Sequence, residues 1–220
     1  QYNHDWADYD NDGDLDLISG GLSIFDNVNY LTIFKNNKGL LSEDTVQSDL
    51  IPLFPCAVAW IDINGDNYTD LLTLGRLNLN GVSHMYINDG MGKLIKSPEQ
   101  PFEMPSTLHA ISVGDHNSDG YDDIAVAHLN GNEMYTNIYT NEYGVNSQNK
   151  FSLHQELQGA TYASLDWGDY DNDGDLDLVT SGYTASLTTE QGQEEYINPI
   201  TNIYQQNEQG LFVFDSSLYM

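Results

Sequence analysis

The sequence has one cysteine, few basic residues and no long hydrophobic run. The single cysteine, Cys56, excludes an intrachain disulfide, and its apolar neighbours in the sequence indicate a buried, inert thiol. Six Lys and Arg residues against 34 Asp and Glu residues cannot form a basic phosphate-binding stripe, which argues against a nucleic-acid partner. No apolar stretch reaches the roughly 18 residues that span a bilayer, so we expect no membrane insertion.

The composition is otherwise that of a globular protein. A chain of 220 residues with 40% hydrophobic and 11% aromatic residues is long enough to bury a full core. It contains no signal peptide, and we expect it to be a processed or excised piece of a longer protein.

Aspartate is concentrated in four copies of one nine-residue loop. The first and fourth copies are Asp8–Asp16 and Asp169–Asp177, and two diverged copies, Asp62–Asp70 and Asp115–Asp123, lie between them. The loops begin at residues 8, 62, 115 and 169, which gives steps of 54, 53 and 54 residues. Of the 24 aspartates, 17 fall in these loops. A fixed period of this length indicates a repeat architecture with one supersecondary unit per repeat.

The loops have the side-chain spacing of a calcium site. Positions 1, 3, 5 and 9 are Asp or Asn in every loop, whereas position 7 varies, as expected where only a backbone carbonyl is used. Calcium takes roughly six to eight oxygen ligands, and alternate residues of a tight loop can converge on it. We predict up to four Ca²⁺, one in each loop. The predicted ligand positions are Asp8, Asp10, Asp12, Asp14, Asp16, Asp62, Asn64, Asp66, Tyr68, Asp70, Asp115, Asn117, Asp119, Tyr121, Asp123, Asp169, Asp171, Asp173, Asp175 and Asp177.

Position 6 of the loop predicts a sharp turn with positive φ. Glycine, which adopts this conformation freely, occupies the position in three loops, at Gly13, Gly120 and Gly174. The second loop has Asn67 there, the next most tolerant residue type, and its glycine is displaced to Gly65. We therefore expect the second loop to be slightly distorted.

Two other interpretations of the loops compete with the calcium site. Ordinary turns are also rich in Asp, Asn and Gly, but four copies in register are not expected from turns alone. An EF-hand loop ends in a bidentate Glu at position 12 and is flanked by helices. Position 12 here is Ser19, Thr73, Val126 or Thr180, and strand-like segments follow the loops, so the EF-hand is not favoured.

Each repeat contains four short strand signals separated by turn residues. In the second repeat these are Cys56–Ile61, Thr69–Leu74, Ser83–Ile87 and Lys93–Lys96, and the last strand of the fourth repeat is predicted at Leu211–Phe214. Four strands per period of about 50 residues is the pattern of a β-propeller blade. We predict an all-β fold, a β-propeller of four-stranded antiparallel blades, with four blades at about 1–50, 51–105, 106–158 and 159–220.

The loops and their flanking strands resemble the FG-GAP/VCBS repeat family, which builds the propeller of integrin α subunits and of many secreted bacterial proteins. The family loop, Asp-x-Asp-x-Asp-Gly-x-x-Asp, is matched fully by the first and fourth copies, whereas Asn64, Asn67 and Asn117 depart from it. The resemblance implies one Ca²⁺ per loop, on one rim of the propeller. Family propellers usually have seven blades, so we expect these four to belong to a larger ring, with closure by four blades as the alternative.

The sequence does not identify a ligand, because this fold serves many functions. We expect a secreted or cell-surface adhesion or recognition module that binds a protein or glycan on the rim opposite the calcium loops. The alternative is a catalytic or non-catalytic part of a secreted polysaccharide-active enzyme. No catalytic residue is predicted, because the six histidines show no catalytic spacing. The long connection Gly182–Ile200 in the fourth blade is either a disordered insertion or a ligand-contacting flap.

A tryptophan stands two residues before three of the four loops, at Trp6, Trp60 and Trp167. Such aromatic side chains could stack on glycans. Their recurrence at the end of the innermost strand favours packing between blades instead.

Overall fold

The computed structural model of the chain describes residues 3–23, 25–54, 56–77, 80–98, 100–102, 107–130, 133–143, 151–188 and 194–219. These residues form sixteen β-strands. Within the same ranges, no helix is long and apolar enough to cross a membrane.

The strands form four sheets, and each sheet is a meander of four consecutive strands. The first sheet contains β1 Asn3–Ala7, β2 Asp16–Leu22, β3 Asn29–Asn37 and β4 Leu40–Glu43. The second contains β5 Cys56–Ile61, β6 Asp70–Leu77, β7 Asn80–Asn88 and β8 Leu94–Lys96. The third contains β9 Thr107–Gly114, β10 Asp123–Asn130, β11 Glu133–Asn141 and β12 Phe151–Gln158. The fourth contains β13 Thr161–Gly168, β14 Asp177–Thr188, β15 Glu194–Gln206 and β16 Phe212–Tyr219.

These sheets are the blades predicted from the sequence, so the all-β class and the four-stranded antiparallel blade are confirmed. The strand predicted at Cys56–Ile61 has those bounds in the structure, whereas the last strand extends beyond its predicted end to Tyr219. The side chain of Cys56 lies outside the described part of the structure, so its burial stays a prediction.

The second strands of the second and third blades are covered on both faces. In β6, Leu71, Leu72 and Leu74 have no solvent exposure, and the same holds for residues 124–127 of β10. A continuous apolar run is what a strand buried on both faces requires. Each aspartate-rich loop joins the first strand of its blade to this second strand, so the carboxylate at loop position 9 enters the edge of the core.

The connection predicted as a long loop in the fourth blade is largely strand. Strands β14 and β15 run through most of Gly182–Ile200, and their ladder continues to the pair Thr188↔Glu194. The described residues of the connection are therefore not a disordered insertion, residues 189–193 lie outside the described ranges, and contact with a ligand stays a prediction. The physical reason is that Thr, Tyr and Ile residues of high strand propensity flank the connection on both sides, so the hairpin of β14 and β15 continues outward.

The chain divides into two compact units. The first unit is Gln1–Leu108 with Asn141–Phe151, and the second is His109–Thr140 with Ser152–Met220. The core of the first unit is built on Tyr9, Ile18, Ile33, Trp60 and Tyr86 among others. In the second unit Ala125, Ile138, Leu178, Tyr204 and Phe212 belong to the core, with Trp167 packed against it.

The tryptophans of the second and fourth blades pack as predicted. Trp60 stacks on the Tyr9 ring with 5.3 Å between ring centroids and an interplanar angle of 9°. Trp167 lies in the same way against His116, at 6.3 Å and 15°. The packing role is therefore confirmed for these two residues, whereas Trp6 is exposed.

Candidate metal centres

All four loops share one backbone conformation with two residues at positive φ. The first of these is at loop position 4, in Asn11, Gly65, Ser118 and Asn172. The second is at position 6, in Gly13, Asn67, Gly120 and Gly174. In the second loop the values are 71° at Gly65 and 65° at Asn67. The expected distortion of this loop is therefore wrong: its glycine occupies one of the two turn positions and Asn67 tolerates the other.

The carboxylate at position 1 closes each loop by accepting two backbone hydrogen bonds. In the first loop Asp8 Oδ1 accepts from the Asp12 N–H at 3.0 Å and Oδ2 from the Gly13 N–H at 3.0 Å. The same pair of bonds recurs at Asp62, Asp115 and Asp169. Position 5 continues the pattern, because the side chains of Asp12, Asp66, Asp119 and Asp173 accept the N–H of position 7. The loops are thus held in shape by their own aspartates.

The carboxylate at position 9 ties the loop to the third strand of the blade. Asp16, Asp70, Asp123 and Asp177 are all buried. Their Oδ1 atoms accept the N–H of a residue near the end of the third strand, Asn36 at 2.8 Å, Asn88 at 2.7 Å and Gln206 at 2.9 Å in the first, second and fourth blades. Burial raises the pKa of Asp16 to about 6 and that of Asp70 to about 7. Neighbouring loop carboxylates add to both shifts, as close like charges must.

Two of the loops bring three carboxylates together. In the first loop Asp8, Asp10 and Asp16 each place an oxygen within 4.8 Å of the others, and in the fourth Asp169, Asp171 and Asp177 do the same. These are positions 1, 3 and 9 of the predicted ligand set. Among the described residues, Asp10 Oδ1 is buried and accepts no hydrogen bond. A buried carboxylate oxygen without a donor, beside two further carboxylates, fits the binding of a hard cation.

The second and third loops differ from the others at position 3. Their position 3 is an asparagine, and its side-chain amide donates to the carboxylate at position 5. Asn64 Nδ2 lies 2.9 Å from Asp66 Oδ2, and Asn117 Nδ2 lies 3.0 Å from Asp119 Oδ2. The residues predicted as ligands are in equivalent places in all four loops, but only the first and fourth combine three acidic ligand atoms within the described part of the chain.

Position 7 contributes no side chain to the acidic clusters. Asp14 instead accepts the Lys38 N–H at 2.8 Å, and the Tyr68 ring lies against Gly90. The role of the position 7 backbone carbonyl as a ligand stays a prediction.

Sequence reasoning missed two residues of the third strand that reach the clusters. Lys35 Nζ lies 3.0 Å from Asp10 Oδ2, and Gln205 Nε2 donates to Asp171 Oδ2. Each directly precedes the residue whose N–H binds the position 9 carboxylate. The corresponding residues of the other two blades are Ile87 and Thr140, where position 3 is an asparagine. In the sequence, an aspartate at position 3 thus occurs together with Lys or Gln at this place on the third strand, and this correlation could have predicted the contact.

Comparison with known protein families agrees with this geometry. A family model described as FG-GAP-like repeat matches three overlapping segments, residues 8–73, 62–126 and 115–180. Each match starts at position 1 of one loop and ends just beyond the next loop. No curated protein matches the chain.

Proposed function

Because the chain belongs to the FG-GAP-like repeat family, we propose that it is a calcium-binding recognition module that acts outside the cell. The observation that carries the metal part is the pair of three-carboxylate clusters in the first and fourth loops. In each loop, positions 1, 3, 5 and 9 supply side-chain oxygens and position 7 its backbone carbonyl. Calcium supplies positive charge there, which offsets the repulsion among carboxylates and the cost of burying the position 9 aspartate.

The charge of the chain supports a role for calcium in every loop. The formal net charge is −28, and four Ca²⁺ would add +8 and bring it to −20. Sites of this kind in extracellular modules bind calcium with Kd of roughly 10⁻⁴–10⁻³ M, which suits the calcium concentration outside cells. We therefore place the protein at the cell surface or among secreted proteins.

We expect the four loops to bind calcium with different affinities, because they differ in formal charge. A carboxylate at position 3 in the first and fourth loops adds a formal charge that Asn64 and Asn117 lack, and these amides also bind the position 5 carboxylate. Loops one and four should fill first in a calcium titration followed by the amide resonances of residues 13, 67, 120 and 174. Asn64→Asp and Asn117→Asp should each tighten their own loop, because more ligand charge raises calcium affinity. Tightest binding in the second loop of the unmodified protein contradicts this ranking.

Lys35 should weaken the first loop relative to the fourth. Its ammonium lies 3.0 Å from Asp10 Oδ2, where it repels an incoming Ca²⁺, whereas the neutral Gln205 holds the same place in the fourth blade. Lys35→Gln should tighten calcium binding at the first loop about tenfold, and Gln205→Lys should weaken the fourth loop by a similar factor. The Gly13 and Gly174 amide resonances report each loop separately. Unchanged midpoints in both variants would rule out this role of Lys35.

We propose recognition rather than catalysis as the activity. Among the described residues, His116 and His154 come together with 4.7 Å between ring centroids, but His116 is buried, and burial lowers its pKa to about 4. Its Nε2 faces both Thr140 Oγ1 at 3.0 Å and Asp123 at 3.6 Å. In a catalytic triad the two ring nitrogens of the histidine contact different partners, the acid at one and the nucleophile at the other. Here a single nitrogen of His116 faces both groups, so this cluster supports a structural role.

The blade ends opposite the calcium loops are the proposed partner site. In the fourth blade this end is extended by the ladder between β14 and β15, which continues as far as Thr188↔Glu194. The corresponding hairpin of the second blade ends at Leu77↔Asn80. A glycan array and a cell-binding assay, each with the calcium-loaded protein and a variant shortened to the second-blade hairpin length, test this placement. Retained binding by the shortened variant argues against the site, and turnover of a bound polysaccharide favours the enzyme alternative.

A further inference from the structure

One asparagine of the second blade contacts two calcium loops. Asn88, at the end of β7, is buried, and its backbone N–H donates to Asp70 Oδ1, the position 9 carboxylate of the second loop, at 2.7 Å. Its side-chain Nδ2 donates to the Thr69 carbonyl of the same loop at 3.0 Å and to the Tyr9 carbonyl of the first loop at 2.7 Å. All four residues belong to the first compact unit. Asn88 therefore forms hydrogen bonds to both loops at once.

The turn that follows Asn88 lies between the same two loops. Asn88 Oδ1 accepts the N–H groups of Gly90 at 3.0 Å and Gly92 at 3.2 Å, so both donors and both lone pairs of its amide are used. A Cβ atom added at Gly92 would lie 2.8 Å from the Cβ of Asp10, in the first loop. One added at Gly90 would lie 3.0 Å from the ring of Tyr68, in the second. The turn is thus packed closely against both loops.

The second unit repeats the arrangement at equivalent positions. Gln206, at the end of β15, is buried, and its backbone N–H donates to Asp177 Oδ1 of the fourth loop at 2.9 Å. Its Nε2 donates to the carbonyl of His116 in the third loop at 3.0 Å, and the N–H of His116 donates to Asp123 Oδ2 of that loop at 3.1 Å. His116 stands at position 2, as Tyr9 does in the first loop. In both units, one residue at the end of a third strand therefore links two neighbouring loops.

Each link joins loops of unequal charge. Asn88 joins the first loop to the second, and Gln206 joins the fourth loop to the third. In both pairs one loop has an aspartate at position 3 and the other an asparagine. The loop expected to fill first is therefore bonded to one that is expected to bind calcium more weakly.

We propose that Asn88 and Gln206 are positioning residues that couple calcium binding in neighbouring loops. The inference rests on the proposed calcium function and adds to it an interaction between sites. Filling one loop orders its position 2 carbonyl, and with it the residue whose amide donates there. The backbone N–H of that residue is then held on the position 9 carboxylate of the neighbouring loop, so filling the neighbour costs less conformational entropy. Occupancy of either loop should tighten the other by the same factor.

Loss of the second calcium site should weaken the first. Asp66→Ala removes the position 5 ligand of the second loop, and a calcium titration followed at the Gly13 amide resonance reports the first loop. The midpoint of the first loop should rise about fivefold, the lower end of the range for coupled sites. With Asn88→Ala in both chains the rise should vanish, because the amide that joins the loops is gone. Asp12→Ala, with the second loop followed at the Asn67 resonance, should give the same factor in the reverse direction.

Asn36→Ala is the matched control for Asn88→Ala. Asn36 holds the same repeat position in the first blade, where its N–H donates to Asp16 and its Nδ2 to the Leu15 carbonyl, both in its own loop. This variant should weaken the first loop directly, yet the fivefold effect of Asp66→Ala on that loop should persist. Circular dichroism checks that each variant is folded.

The second unit supplies an independent test, which also serves if Asn88→Ala does not fold. Gln206→Leu removes the bond to the third loop together with an oxygen that is buried without a donor among the described residues, so we expect this chain to fold. Asp173→Ala in the fourth loop should raise the midpoint of the third, followed at Gly120, about fivefold in the unmodified chain. In the Gln206→Leu chain it should leave that midpoint unchanged.

The failure of the coupling is distinguishable from the failure of the calcium function. Midpoints that ignore the neighbouring site, or that respond equally with and without the Asn88 and Gln206 side chains, overturn the coupling while the calcium sites stand. The absence of any calcium-dependent shift at the Gly13, Asn67 and Gly120 resonances overturns both proposals.

Discussion

Chelation of calcium with EDTA will lower the melting temperature of this protein markedly. An ion that binds only the folded state stabilises it by about 2.7 kcal/mol per site at a hundredfold excess over Kd. For a domain of this size, each kcal/mol corresponds to roughly 2–4 °C in melting temperature, so loss of one well-filled site should cost about 5–10 °C. Calorimetry with and without EDTA measures the shift, and EDTA presaturated with calcium is the control. Identical melting curves with and without free chelator would contradict the calcium proposal.

The pH dependence of the metal-free protein supplies an internal check on that experiment. Burial raises the pKa of Asp16 to about 6 and that of Asp70 to about 7, so the folded state holds protons that the unfolded state releases near pH 4. Stability in chelator should therefore fall as pH rises from about 4 to 7. In excess calcium the trend should reverse, because the cation binds the deprotonated form. The same slope in both conditions contradicts a cation beside these carboxylates.

The contacts within each loop could be predicted from the sequence, because they join residues that are close to each other along the chain. The position 1 aspartate accepts two N–H groups four and five residues away, and a fixed spacing in the sequence encodes such bonds directly. The equivalence of Gly65 and Asn67 to the turn residues of the other loops could also have been read from the alignment of the four copies. Neither feature needs knowledge of strand pairing.

The contacts that sequence reasoning missed all depend on register between strands. Lys35 meets Asp10 only because β3 pairs with β2 so that Ile33 lies opposite Ile18. The sequence predicts a long connection where the hairpin of the fourth blade continues, because strand propensity alone does not specify which residues pair with each other. The number of blades in the complete ring remains a prediction, since it depends on packing that four repeats alone do not specify.

Replacing Trp60 by Ala should destabilise the first unit by about 3–5 kcal/mol, the usual range for deleting a buried large aromatic side chain. The indole stacks on Tyr9 and shares a core with Ile18 and Ile33, so its loss leaves a cavity between the first and second blades. Urea unfolding in saturating calcium measures the change. Trp60→Phe should cost less, because it keeps an aromatic ring on Tyr9 and removes an indole N–H that is buried without an acceptor among the described residues.

Trp6→Ala is the matched control, because Trp6 occupies the same repeat position in the first blade but is exposed. It should change stability by no more than about 0.5 kcal/mol, as surface substitutions usually do. The difference in stability loss between the two variants therefore reports the effect of burying the side chain, since residue type, strand position and distance to the calcium loop are the same. Equal effects of Trp6→Ala and Trp60→Ala would show that the stacked ring contributes little. If the Trp60→Ala protein were instead stable but no longer bound a glycan or partner, we would infer that the blade ends bearing the calcium loops form the recognition surface.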